Sequence, residues 1–588
     1  TCTRNATSNV TFGAASSAVT ASTSNLRCNV RARIESGWVC GLRRNASHDV
    51  EYASFRGIPY AQQPLGELRF KELQPVRPWP HHLDATEEGP ICPQRDDVYG
   101  NLVKPCRGMS ESCIYVNVHV PLKALPAVIG ADDDEYHKGY VNDKSRKGVP
   151  ILVFVHGGAF QAGSGNADLN GPEYLVSKGI IVITFNYRIN VFGFLSLNTT
   201  KVPGNAGLRD QVTLLRWVQR NARAFGGDPN DVTLAGQSTG GTCVHLLSLS
   251  ESNLLTFRII SMSGVAIPSY FTVSPTYARQ AAARFLSLLG INSTDPDVIH
   301  DQLVNKPLEE ILNANSIYQY ESGLVSFVPV IEGRHPGVTQ IIEDDPINLI
   351  KEGRGKELPM IIGFTNEECE FFRHRLEYLD ILGRIKANPT LVLWADIPFT
   401  TPPNVALGLA EKVIDRYFHR RLTIDKYLEE CRDSYFEYPA FKVAEWRAQT
   451  KGVPTYLYQF AYEADFSVVK AALNLNIKGS AHVEDMTYIF RTNSVLGKKK
   501  SFSRTPRDDR MTDWMTQFVI DFIRYNLFYF RKPTCDEEFW PAAQLRELNY
   551  QDIREPDVYY NRPPTAYQRD VIQFFDGIEQ IARLPDVL

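Results

Sequence analysis

The sequence predicts an α/β fold: one large, mostly parallel sheet flanked by helices and built as a single domain. Three observations predict it. Short apolar runs rich in β-branched and aromatic residues recur between positions 151 and 460. These runs are continuous rather than alternating, as strands covered on both faces are. Segments with helical spacing stand between them, the order that gives a parallel sheet.

Taken along the chain, residues 1–28 form a low-complexity polar arm with little to offer a core. Residues 29–588 show no internal repeat and no long linker, so they are assigned to one domain. The charged insertion GADDDEYHKGYVNDKSRKG (130–148) reads as a solvated loop ahead of the strand ILVFV (151–155). IIVITF (180–185), VTLA (232–235), IISM (259–262), MIIGF (360–364) and TYLYQF (455–460) read as further buried strands bounded by Gly, Pro or Asp. LRDQVTLLRWVQRNARAF (208–225) puts Leu208, Val212, Leu215 and Val218 on one helix face. GKKKSFSRTPRDDR (497–510) reads as a second solvated loop. FVIDFIRYNLFYF (518–530) is interrupted by Asp521, Arg524 and Asn526, so it suits a packed amphipathic helix and not a membrane span.

Composition narrows the function. Of 588 residues, 43% are hydrophobic and 22% charged, and the formal net charge is −4, which points away from nucleic-acid and polybasic membrane binding. A chain that begins at Thr1 is expected to have lost any signal peptide. Ten cysteines are too few for a disulfide-stapled miniprotein of this length. N-x-S/T sequons stand at Asn5, Asn9, Asn45, Asn198 and Asn292, whereas Asn388 precedes Pro389 and does not count. The expected compartment is extracellular, and the expected product a secreted glycoprotein.

The chemistry centres on LAGQSTGG (234–241). A strand, a tight Gly-Gln-Ser-Thr-Gly turn and a helix over 242–250 would hold Ser238 in a strained backbone with its hydroxyl above the sheet. Gly236 and Gly240 would remove side chains that clash where strand and helix close up. HGGAF (156–160), directly after a strand, can turn backbone N–H groups into a cavity that suits an oxyanion. The donors would be Gly158, Ala159 and Thr239. The acid and the base are expected later in the chain. His482 lies in KGSAHVEDMTYIF (478–490), a small-residue turn ahead of a Glu-Asp pair. IIGFTNEECEFF (361–372) places Glu367, Glu368 and Glu370 just past a strand end, and spacing does not separate the three.

These blocks resemble the type-B carboxylesterase/cholinesterase family of α/β-hydrolases. The resemblance runs from about residue 30 to 580 through FRGIPYAQQPLGELRF (55–70), ESCIYVNVHVP (111–121), VFVHGGAF, ITFNYRINVFGFL (183–195), GNAGLRDQ (204–211), GQSTGG and GSAHVEDMTYIF. Within the family the chain looks most similar to insect juvenile hormone esterases of the moth type. TNEECEFF, GSAHVEDMTYIFRTNS and NYQDIREPDVYYN carry that likeness. The resemblance implies the α/β-hydrolase fold, with Ser238 as nucleophile, Glu368 as acid, His482 as base and Gly158, Ala159 and Thr239 as the oxyanion hole. It also implies a Cys92–Cys113 disulfide in the substrate-access region. A Cys431–Cys535 pair is left open, and Cys243 reads as a buried free thiol.

Departures from the family pattern bear on specificity. Thr239 stands where alanine is usual, which keeps the N–H but narrows the acyl site. Gly241 is unusual too, and the common Asp-Glu-Gly of the acid motif reads Glu367-Glu368-Cys369. The access loop, CPQRDDVYGNLVKPCRGMSESC, has no tryptophan to hold a quaternary ammonium, and neutral Gln237 replaces the cholinesterase carboxylate before the serine. Acetylcholine is therefore not expected. The expected partners are a hydrophobic small-molecule ester and water, with no metal or organic cofactor. The resemblance implies a terpenoid methyl ester, juvenile hormone, as substrate. Two other readings stay open: a broader esterase for odorant, pheromone or dietary esters, and a non-catalytic binding or adhesion protein on the same scaffold. A histidine base also predicts that activity declines in acid.

Overall fold

Backbone pairing, rather than composition, decides how the strands join. Strand β1 (Val30–Ile34) starts an antiparallel run with β2 (Gly37–Asn45), β3 (Glu51–Pro59) and β5 (Tyr115–Pro121), while β4 (Leu83–Asp84) pairs with β2 on its own. The centre of the sheet comprises β6 (Val149–Val155), β7 (Ile181–Phe185), β8 (Gly227–Gln237), β9 (Arg258–Met262), β10 (Met360–Thr365), β11 (Thr455–Phe460) and β12 (Tyr550–Ile553). These seven run parallel in the order β7-β6-β8-β9-β10-β11-β12, and β13 (Asn561–Arg562) closes the far edge antiparallel.

This computed structural model describes residues 28–583 except 97, 101, 104–106, 127–147, 253–254, 269–270, 324–325, 420, 497–503, 527–539 and 546. Most of the polar arm, the Asn5 and Asn9 sequons, nearly all of the insertion at 130–148, the first half of the loop at 497–510, and Cys535 lie outside the described residues.

The apolar runs read from the sequence are central strands, and every residue of β7, β9, β10 and β11 is buried. Burial on both faces removes the polar alternation, which is why these segments stood out. The periodic segment at 208–225 is a helix over Ala206–Asn221 followed by a tight 3-10 turn, Ala222–Phe225. Its Trp217 is among the largest fully buried side chains. The segment at 518–525 ends a longer helix, Pro506–Tyr525, whose Thr505 cap bonds the Asp508 N–H. Among the described residues, no helix is long and apolar enough to cross a membrane.

The parallel core fixes where chemistry can happen. Residues just past the C-terminal ends of β6, β8, β10 and β11 all leave one edge of the sheet. His156–Phe160 follows β6, Ser238 follows β8, and Glu368 lies three residues past β10. The long loop after β11 carries His482.

Candidate active site

The helix after Ser238 begins at once, at Thr239, three residues earlier than its apolar pattern suggests. Ser238 itself has φ 58° and ψ −132°, a conformation that L-residues avoid and a sharp strand-to-helix turn imposes. Its N–H donates to the Met262 carbonyl at 2.7 Å. A β-carbon on Gly240 would lie 2.2 Å from the Val155 carbonyl oxygen, and one on Gly236 would lie 2.3 Å from the Gly240 oxygen. Only glycine lets strand and helix approach that closely here. Gly241 is tight as well, since a β-carbon there would sit 2.8 Å from the Gly264 oxygen.

Opposite the elbow, Gly158, Ala159 and Phe160 all have positive φ, at 117°, 55° and 58°. This backbone turn leaves the Gly158 and Ala159 N–H groups without an acceptor among the described residues. The Thr239 N–H opens the helix Thr239–Leu249 and has no intrahelical partner. Thr239 also ties the two halves together, because its hydroxyl accepts the Phe160 N–H at 3.2 Å. His156 is structural: it is stacked on Tyr187 at 4.4 Å, and burial pushes its imidazole down to about 4.

The three candidate carboxylates are separated by geometry. Glu370 is engaged by Arg373 at 2.8 Å. The Glu367 backbone bonds the histidine loop through Ser480, and burial raises its carboxyl. Glu368 is fully buried, takes the Thr365 N–H on Oε1 at 2.7 Å and meets His482 Nδ1 with Oε2 at 2.5 Å. That contact fixes the tautomer: Nδ1 carries the proton and Nε2 keeps a lone pair. The loop is held by Ser480, whose N–H donates to Asn366 at 2.9 Å, and by Asp485, which accepts from the Tyr458 hydroxyl at 2.6 Å. Burial pushes Asp485 up to about 6 and Glu484 up to about 7. Phe371, Phe372 and Phe436 surround the imidazole at 5.6, 5.3 and 5.1 Å between ring centres. Its Nε2 lies 3.1 Å from the Gln237 side-chain nitrogen, and among the described residues Ser238 forms no hydrogen bond to it.

Disulfides join Cys92 to Cys113, Cys28 to Cys40 and Cys369 to Cys431. The third corrects the open Cys431–Cys535 pairing, since the partner of Cys431 is the residue next to Glu368. Loop length alone does not reveal such a pair, but both cysteines are buried and their Cα atoms lie 6.0 Å apart. Cys243 is a buried free thiol, pushed up to about 12 by burial. Sequence reasoning missed the three phenylalanines around the imidazole, although FF in ECEFF was the available signal.

A serine elbow, facing amide donors and a buried His–carboxylate pair at the carboxyl edge of a parallel sheet define a serine hydrolase of the α/β-hydrolase class. The chain belongs to the carboxylesterase family, whose model matches residues 29–571, and it is a carboxylic-ester hydrolase. It is 47% identical to juvenile hormone esterase of Heliothis virescens, over 93% of this chain and 94% of that one. It is 32% identical to para-nitrobenzyl esterase of Bacillus subtilis, over 91% of this chain and 96% of that one. Its fold matches the crystal structure of juvenile hormone esterase from Manduca sexta with OTFP covalently attached. The TM-score there is 0.87, with 49% identity, covering 94% of this chain and 99% of that one.

Proposed function

We propose that this esterase hydrolyses juvenile hormone or a closely related terpenoid methyl ester, with Ser238, His482 and Glu368 as its catalytic triad. The observation that carries the triad is the buried 2.5 Å contact between His482 Nδ1 and Glu368, on the loops that flank the Ser238 elbow. The Ser238 proton passes to His482 Nε2 as Oγ attacks the ester carbonyl, and Glu368 steadies the resulting imidazolium. The N–H groups of Gly158, Ala159 and Thr239 receive the oxyanion, each worth about 3 kcal/mol in comparable enzymes. His482 returns the proton to the departing alcohol, and water then cleaves the acyl-enzyme by the same route.

The substrate reading is supported by similarity to two moth juvenile hormone esterases along nearly the whole chain. Three apolar rings around the imidazole suit a substrate without charge. Secretion and glycosylation belong to the same reading. Three disulfides among the described residues suit an oxidising compartment, and the side chains at Asn45, Asn198 and Asn292 are exposed. Asn5 and Asn9 are proposed as further glycan sites on sequence alone. The test compares kcat/KM for juvenile hormone with that for simple acetates and butyrates. A preference of at least tenfold is expected, and a smaller one would favour a broader esterase.

A further inference from the structure

Gln237 is the side chain that meets the base. It is fully buried, its amide nitrogen lies 3.1 Å from His482 Nε2, and its Oε1 is buried with no hydrogen-bond partner among the described residues. Because Glu368 holds the proton on Nδ1, Nε2 is an acceptor and only the N–H end of the amide can satisfy it. A buried acceptor left without a donor, such as this Oε1, costs about 1–3 kcal/mol. Its environment leaves room on one side: Gly157 has no side chain where a β-carbon would lie 3.1 Å from Oε1.

We propose that Gln237 is a positioning residue whose amide serves both protonation states of His482. Its N–H holds the neutral ring at Nε2 until the Ser238 hydroxyl takes over that lone pair, and Oε1 then turns in to accept from Nε2–H until that proton passes to the departing alcohol. In that step the Oγ–H bond breaks, the proton goes to the Nε2 lone pair, and the Oγ electron pair bonds the ester carbonyl carbon. The imidazole thereby changes from acceptor to donor at one atom, and an amide, which carries both a donor and an acceptor, can follow by rotating. A carboxylate could only accept, and a thioether could do neither well. The other titratable groups around the ring are Glu368, bonded to it, Asp485, whose charge interacts with it, and Glu484 and Glu367 in the two loops that carry the pair. None of these reaches Nε2 with a hydrogen bond among the described residues.

The inference rests on His482 as base and Ser238 as nucleophile, and the experiment separates the two. Hydrolysis of p-nitrophenyl acetate is followed from pH 5 to 9 for the wild type, Gln237→Glu, Gln237→Met and Ser238→Ala. Gln237→Glu is expected to move the acid limb of kcat/KM upward by about one pH unit or more, since a negative charge at that distance favours the imidazolium. Gln237→Met is expected to leave the limb in place, lower kcat at least tenfold and leave KM within about twofold. An unmoved limb in folded Gln237→Glu, or full kcat in Gln237→Met, overturns the role of the amide. Should Gln237→Glu not fold, the kcat and KM of Gln237→Met decide alone. Full activity in Ser238→Ala would instead overturn the triad beneath it.

Discussion

Thr239, expected to narrow the acyl site, turns its hydroxyl to the glycine loop, where it accepts the Phe160 N–H at 3.2 Å. The side chain therefore links the two strand ends, β6 and β8, that carry the N–H groups proposed to receive the oxyanion. Thr239→Ala is expected to lower kcat about fivefold, the worth of one neutral hydrogen bond, while Thr239→Ser retains activity. Equal kcat in all three would remove the link. Glu368→Gln is expected to cost about 10⁴-fold in kcat with little change in KM, because an amide stabilises the wrong tautomer of His482. The sequence placed three glutamates near the right strand end, and only side-chain direction separates them. Glu370 is paired with Arg373, Glu367 accepts from the Asn366 side-chain amide at 3.4 Å, and Glu368 alone of the three reaches the imidazole.

Elements act here through their ends. The Cys369–Cys431 bridge fastens the acid loop to the helix Ile424–Arg432, and the following turn, Asp433–Glu437, brings Phe436 onto His482. One covalent bond thus steadies both the carboxylate and part of the apolar wall around the base. The double variant Cys369→Ala/Cys431→Ala is expected to lose about 2–4 kcal/mol of stability, and to lose kcat at temperatures where it stays folded. Denaturant unfolding and steady-state kinetics on one preparation check both. At the elbow, Gly240→Ala is expected to inactivate the enzyme, because its β-carbon would press on the Val155 carbonyl. These glycines were readable from sequence, as close approach leaves no other residue to use. The bridge was not, because 62 residues separate its cysteines and no local signal couples them.

At the scale of the whole molecule, the parallel centre of the sheet was read from its unbroken apolar strands, whereas the antiparallel edge was not. Strand β1 alternates buried and exposed residues over five positions, and such short half-solvated strands carry little signal. Burial of the whole also sets how stability varies with pH. Glu430 is buried, and burial, offset only in part by the Ser434 hydroxyl and aided by the Asp433 charge, pushes it up to about 8. The folded chain therefore holds this proton where the unfolded chain, near pH ~4.3, has released it. Its contribution is fully present below that point and is lost as pH rises towards 8. Glu430→Gln is expected to come closest to the wild type in thermal stability at about pH 4 and to exceed it by a margin that grows towards pH 8; a constant difference across that range would refute the assignment. The most direct test of the esterase itself is mass spectrometry after inactivation by an organophosphate. The account requires one phosphoryl adduct, on the peptide bearing Ser238, formed in step with loss of turnover. Complete inactivation with that peptide unmodified would contradict it.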